Sequence, residues 1–251
     1  MNILDKKNTV TFSAEIKALF TSINPEKIAV LPTTEYEGIF RNGGVGTYYK
    51  NLAKKLNSDG WYIILISCDA ESHYLGESHL DEVKHIFTTN QVKKTLNLSS
   101  FHYQILDSVA SEWVDYLGYS CLFFLQAINY QFPDSKIYVE FHEMLGISYP
   151  SLQAKQTKIL EDNCTIAVTM HSGHEWIYEA NEKYNIEYPE WLWQVAHYEQ
   201  YSCENADLVF FPSHYLTTRV QSYGWNLVKA DHMPNYIPVE EPVSLSNIRL
   251  T

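Results

Sequence analysis

At 251 residues, with 45% hydrophobic and 19% charged residues, the chain has the composition of an ordinary globular protein of one large domain or two small ones. Its formal net charge of −12 opposes phosphate backbones. Lys50, Lys54 and Lys55 read as the solvated face of one helix and Lys93-Lys94 is only a pair, so no nucleic-acid partner is expected. The four cysteines, Cys68, Cys121, Cys164 and Cys203, form no C-x-x-C and imply reduced, mostly buried thiols. The apolar runs fall well short of the ~20 residues that span a bilayer. The expectation is a cytoplasmic protein whose membrane contact is at most peripheral.

In chain order, Ile16, Leu19, Phe20 and Ile23 recur at helical spacing behind Ser13, predicting a helix over 13–23 that Asn24-Pro25 ends. In the strand read over 27–31, the consecutive apolar residues Ile28-Ala29-Val30-Leu31 suit burial on both faces of a parallel sheet. A long connection rich in charged and aromatic residues (32–42) leads to a glycine turn and a helix over 47–56; a strand over 61–67 follows. A strand at 83–87, a short helix after Thr89, a strand at 101–106 and a nearly all-apolar, hence buried, helix over 107–130 come next. The second half alternates strand 137–141, helix 151–160, strand 165–170, a helix from Pro189 to about 204, strand 208–211, a helix capped by Ser213, and a run at 227–233 before Pro234-Asn235. Strand and helix alternate throughout, which predicts one α/β domain with a parallel sheet.

Three features fall at the C-terminal ends of strands, where open parallel sheets bind ligands. The first is the turn Arg41-Asn42-Gly43-Gly44-Val45-Gly46. Its glycines allow φ > 0 and close approach of a ligand, and the first N–H groups of the next helix point the same way, so an anion or a crowded sugar could rest there. A tight βα turn alone also asks for glycine, and the spacing is neither G-x-G-x-x-G nor a P-loop. The others are His142-Glu143 and His171-Ser172-Gly173-His174. Either histidine alone reads slightly better as a hydrogen-bonded structural residue; their shared rim favours a site. A zinc hydrolase is disfavoured, because His142-Glu143-Met144-Leu145-Gly146 fails H-E-x-x-H at its last position and His171 to Glu175 has the wrong order for the inverted motif.

These segments, followed by Glu199, by Ala206-Asp207-Leu208-Val209-Phe210-Phe211-Pro212-Ser213 and by Pro234-Asn235, make the chain from about Lys27 to Pro238 resemble the N-terminal half of a glycogen-synthase-like, family 4 retaining glycosyltransferase of GT-B fold. The resemblance implies a Rossmann-like, doubly wound parallel sheet. It implies a single acceptor-side domain over 1–251, the nucleotide-sugar domain having no counterpart before Thr251, so that the fragment would be inactive alone. The expected partners are a nucleotide-sugar, as donor substrate, and a glycan or other small acceptor, with no cofactor and no metal. By position, the backbone of Gly43, Gly44, Val45 and Gly46 would lie near donor diphosphate and acceptor. Arg41 stands where glycogen synthases carry a phosphate-contacting lysine and offers a planar fork in its place. His171 matches the active-site histidine that contacts the transferred sugar, positioning and polarising it, and His142 and Glu143 would line the acceptor side. Glu199 and Ser213 read as structural. Tyr236, where glycine is usual, departs from the pattern. The alternatives are a non-catalytic carbohydrate- or partner-binding module, for which residues 184–193 with Trp191 and Trp193 offer an aromatic patch, and one half of a sugar-nucleotide epimerase.

Overall fold

A computed structural model describes residues 9–41, 43–68, 76–181 and 190–236. The strands are β1 (Thr11–Phe12), β2 (Lys27–Thr33), β3 (Tyr62–Ser67), β4 (Gly76–Glu77), β5 (His85–Thr88), β6 (Leu96–Asn97), β7 (Lys136–His142), β8 (Cys164–Thr169), β9 (Leu208–Phe211) and β10 (Ala230–His232). The α-helices are α1 (Ala14–Leu19), α2 (Gly44–Ser58), α3 (Val92–Thr95), α4 (Ser100–Ser108), α5 (Trp113–Gln131), α6 (Tyr149–Gln156), α7 (His174–Ala180), α8 (Glu190–Asn205) and α9 (His214–Ser222). Eight strands form one sheet in the order β10-β9-β8-β7-β2-β3-β5-β4, parallel except for β4 against β5; β1 and β6 pair separately.

The unbroken apolar runs are what burial on both faces requires. Ile28 and Val30 of β2, with Ile64 and Ile66 of β3, feed the core under α5, whereas the alternate Ala29, Leu31, Ile63 and Leu65 feed the core under α2. Helix α5 is buried on nearly every side, from Leu117 to Asn129. The chain winds outward from β2 through β3 to β5, then returns to β7 on the other flank of β2 and continues through β8, β9 and β10. The switch point of this doubly wound sheet therefore lies between the C-terminal ends of β2 and β7.

Several elements differ from expectation. Residues 101–106 are helix α4, not a strand: the Phe101, Tyr103, Ile105 alternation imitates a strand, but the buried residues are His102 and Leu106, one helical turn apart. Helix α5 begins at Trp113 instead of 107, because α4 and a turn fill the interval. Helix α2 starts at Gly44, so Val45 and Gly46 are its first turn. Helix α1 ends at Leu19, and Ser13 holds its N-cap place without a side-chain cap bond. Ser213 does cap α9, accepting from Leu216 N–H at 3.2 Å. Pro189 and Asn42 lie outside the described residues.

Glu140 of β7 pins α2 to the sheet. It is fully buried, and its Oε1 accepts from Tyr48 Oη at 2.5 Å and Thr169 Oγ1 at 2.7 Å, its Oε2 from the Tyr138 hydroxyl, and its backbone carbonyl from Tyr49 Oη at 3.2 Å. Burial, then the neighbouring carboxylate, raises the pKa of Tyr48, Tyr49 and Tyr138, which keeps each of them a donor. Replacing Glu140 by alanine orphans the hydroxyls of Tyr48, Tyr138 and Thr169 in the core. At ~1–3 kcal/mol for each orphaned group, partly offset by relaxation, the expected loss is about 3–5 kcal/mol in urea unfolding. A loss below about 1 kcal/mol would remove this cluster from the account of the fold.

Candidate functional site

The connection from β2 to α2 is folded by its own side chains. Thr33 Oγ1 donates to Glu35 O at 2.8 Å and accepts from Glu35 N–H at 3.2 Å, while Tyr36 and Phe40 bury their rings and Tyr36 N–H donates to Phe40 O at 2.8 Å. Tyr36 Oη reaches Glu82 Oε1 at 3.0 Å. Glu37 accepts from Thr47 Oγ1 at 2.7 Å and from Lys50 Nζ at 3.0 Å. This places Glu35 at the start of α2, where its Oε2 accepts from Gly46 N–H at 3.2 Å. A Cβ on Gly43 would lie 2.2 Å from that oxygen, and one on Gly46 would lie 3.1–3.3 Å from Glu37 N, Arg41 O and Glu35 Cβ. The anion at the helix start is thus the chain's own carboxylate. Gly44, by contrast, opens outward, with nothing within 4 Å of an added Cβ. Arg41 is exposed at the turn with φ 45°, a left-handed conformation that side chains seldom adopt.

Across the switch point, His142 ends β7. Its Nε2 accepts from Thr34 N–H at 3.3 Å and lies 3.3 Å from Thr34 Oγ1, tying the ends of β2 and β7 together. Burial first, then the nearby imidazoles of His171 and His174, pushes its pKa down to about 3, so it is neutral at physiological pH.

Glu143 is also fully buried, and both of its oxygens are committed. Oε2 accepts from His171 N–H at 2.8 Å, and Oε1 from Ser172 N–H at 2.6 Å and Gly173 N–H at 2.7 Å. It holds the β8–α7 loop from beneath. Gly173 sits at φ 77°, where a Cβ would also lie 2.7 Å from Met170 Cε, so this turn needs glycine. Glu199 of α8, equally buried, holds the next position: Oε2 accepts from His174 N–H at 2.8 Å, and Oε1 lies 2.9 Å from Leu145 N–H and 2.5 Å from His174 Nδ1. Burial pulls the His174 imidazole down, but the hydrogen bond and charge of Glu199 outweigh it and its pKa is raised. Burial pushes the Glu199 carboxyl up.

The loop so held puts the His171 ring edge-on to Tyr48 of α2, with ring centroids 4.8 Å apart. Tyr48 follows Gly44 by one helical turn, so the glycine turn and His171 share one wall of the rim. His142 lies beside them and Glu143 below. Sequence reasoning missed Glu35, Thr34 and Tyr48. Only Glu35 left a trace, as an acidic residue in a long charged connection. Trp191 and Trp193 are both largely exposed, at 50% and 66%, and Trp191 approaches the His174 ring at 6.2 Å. Residues 184–189 of that aromatic segment lie outside the described residues. Among the described residues no three His, Cys, Asp or Glu side chains converge as metal ligands, and no helix is long and apolar enough to cross a membrane.

No family model and no curated protein sequence matches the chain. Among solved structures it is similar to sucrose-phosphate synthase from Thermosynechococcus elongatus, with TM-score 0.56 and 14% identity over 83% of this chain and 48% of that one. A second structure of that synthase aligns at TM-score 0.46 over 83% of this chain and 88% of that one. A Listeria monocytogenes chain assigned as a UDP-N-acetylglucosamine 2-epimerase aligns at TM-score 0.38 and 12% identity. The chain spans about half the length of the first synthase structure. The fold is that of a Rossmann-like domain of the GT-B architecture.

Two outcomes follow from this geometry. Gly43→Ala drives the Glu35 carboxylate out of its seat and costs the cap, about 1 kcal/mol in urea unfolding, and this cost vanishes in a Glu35→Ala background. Equal costs in both backgrounds would separate the two residues. For His142, the folded-state pKa lies below the unfolded value of about 6.5, so its contribution is present above pH 6.5 and is lost as pH falls toward 3, at up to about 1.4 kcal/mol per unit. Acidification from pH 7 to 5 is expected to narrow the stability gap between wild type and His142→Asn. Parallel curves would show that His142 takes up its proton freely in the folded protein.

Proposed function

We propose that the chain is the acceptor-side half of a two-domain glycosyltransferase, which moves a sugar with retention from a nucleotide-sugar to a small hydroxyl-bearing acceptor such as a glycan. The reading rests above all on the His171 ring standing against Tyr48, one turn into the helix that the glycine turn opens, at the switch point of the sheet. The fold shared with a sucrose-phosphate synthase supports sugar transfer as the reaction class.

In this reading His171 contacts the transferred sugar and polarises it, its backbone fixed by Glu143. Gly44 lets the sugar approach the backbone closely. Glu35 already neutralises the start of α2, so a ligand there is recognised through its hydroxyl groups, which can donate to that carboxylate, and less through phosphate. Arg41 and the cations of a second domain carry the donor's diphosphate, so no metal is required. His142 and Glu143 act through the rim they support, and the protein works in the cytoplasm.

The test is hydrolysis and transfer with a panel of nucleotide-sugars, using the protein at its full encoded length. His171→Ala is expected to lower kcat by about 100-fold or more with a smaller change in KM, the size of effect seen when one preorganised polar group is removed. Unchanged turnover would take His171 out of the site, and absence of any turnover or nucleotide-sugar binding in the wild type would overturn the transferase reading.

A further inference from the structure

His174 and Glu199 form a carboxylate–imidazole pair on the rim, three residues past His171. The buried carboxylate holds Nδ1 of the ring at 2.5 Å with one oxygen and the backbone N–H of the same residue at 2.8 Å with the other, so one group fixes both ring and main chain. Nδ1 therefore carries a proton, and Nε2 is the nitrogen left for a ligand. It has no hydrogen-bond partner among the described residues and is open to solvent, the side chain keeping 14% of its surface there. The second wall of this corner is an indole. Trp191, in the first turn of α8, stands at 85° to the imidazole with ring centroids 6.2 Å apart, and half of its surface is in water.

A ligand that fits the corner has an apolar face for the indole and, at its edge, a group that hydrogen-bonds to Nε2. Glu199 favours the protonated ring, in which Nε2–H donates, whereas the neutral ring offers Nε2 as an acceptor. A hydroxyl group serves both states. Phosphate or carboxylate serves only the first, and the buried carboxylates of Glu143 and Glu199 oppose it from beneath. A plain hydrocarbon covers the indole and leaves Nε2 unpaired. A sugar ring, with a C–H face and a rim of hydroxyls, answers both walls. Three residues of chain span at most about 11 Å, so the corner lies beside the place where His171 stands and within reach of a neighbouring unit of a short glycan.

We propose that Trp191 and His174 form a second sugar subsite, the indole stacking on a sugar ring and Nε2 bonding one of its hydroxyls, so that the acceptor is an oligosaccharide and not a single sugar. Its place in the reaction rests on the sugar-transfer reading above; its binding chemistry does not. Calorimetric titration with a panel of neutral α- and β-linked trisaccharides of glucose, mannose, galactose and N-acetylglucosamine, with no nucleotide-sugar present, tests it. At least one trisaccharide is expected to bind saturably and at least tenfold more tightly than its monosaccharide. Trp191→Ala should weaken that binding at least tenfold and Trp191→Phe less than threefold, since a smaller ring still stacks, while His174→Gln should weaken it at least fivefold. Phe101→Ala, which removes an exposed aromatic ring from α4, should leave it unchanged. Trp191 is exposed, so its variants should keep the wild-type melting temperature, and they decide the matter if His174→Gln unfolds. No saturable binding across the panel, a trisaccharide held no more tightly than its monosaccharide, or equal affinity in Trp191→Ala and wild type each overturns the subsite. Trisaccharide binding that Trp191→Ala removes, in a protein of full encoded length that turns over no nucleotide-sugar, upholds the subsite and overturns the transferase reading alone.

Discussion

Three carboxylates, Glu140, Glu143 and Glu199, are buried completely beneath the C-terminal rim of the sheet, and the surrounding backbone is arranged around their need for donors. A lone carboxylate moved from water into a protein interior costs several kcal/mol. Each of these is saturated instead, Glu140 by hydroxyl groups, Glu143 by three consecutive backbone N–H groups and Glu199 by two backbone N–H groups and the His174 ring. The loop after β8 closes around Glu143, presenting His171, Ser172 and Gly173 N–H to it together, with Gly173 at positive φ.

That constraint connects packing to the rim. Glu140 fixes α2 against β7 through Tyr48, and Glu143 fixes the loop that carries His171 against the same tyrosine. Glu140 lies on β7 and Glu143 just past its end, three residues later. One edge of the site is thereby held at two points. Preorganisation of this kind suits groups that must meet a ligand at fixed distance. On the other edge, Gly44 opens toward space and Arg41 is exposed. The rim has a rigid wall and an accessible one.

Residues 28–31 were legible as a strand because burial on both faces leaves only apolar residues, and 208–211, apolar throughout although Leu208 is exposed, matches β9 in full. Residues 101–106 misled for a physical reason. Helix α4 is a surface helix whose outward Phe101 and Tyr103 are exposed, so its apolar pattern does not report its buried face. Its start is signalled instead by Ser99 and His102, whose Nδ1 accepts from Ser99 N–H at 3.3 Å, a histidine where a capping box ordinarily has Glu or Gln. Histidines at strand ends were legible as rim residues. Their division of labour was not: His142 is sealed between two strands while His171 is only partly buried, and that depends on which donors Glu143 and Thr34 claim.

The glycine turn carries the same lesson in sharper form. Two adjacent glycines before a helix read as a cradle for phosphate, because backbone N–H groups and the helix dipole favour an anion. Here Gly43 is small to admit Glu35, which stands eight residues earlier and binds Gly46 N–H before any ligand arrives. A phosphate at that spot would meet a like charge a few ångströms away and would have to displace it. A hydroxyl group would not, since it can donate to the carboxylate already present. Thus one residue outside the motif reverses the ligand preference that the motif suggests. Nothing in the spacing of the glycines could have revealed it, because the connection that brings Glu35 back is shaped by the buried rings of Tyr36 and Phe40.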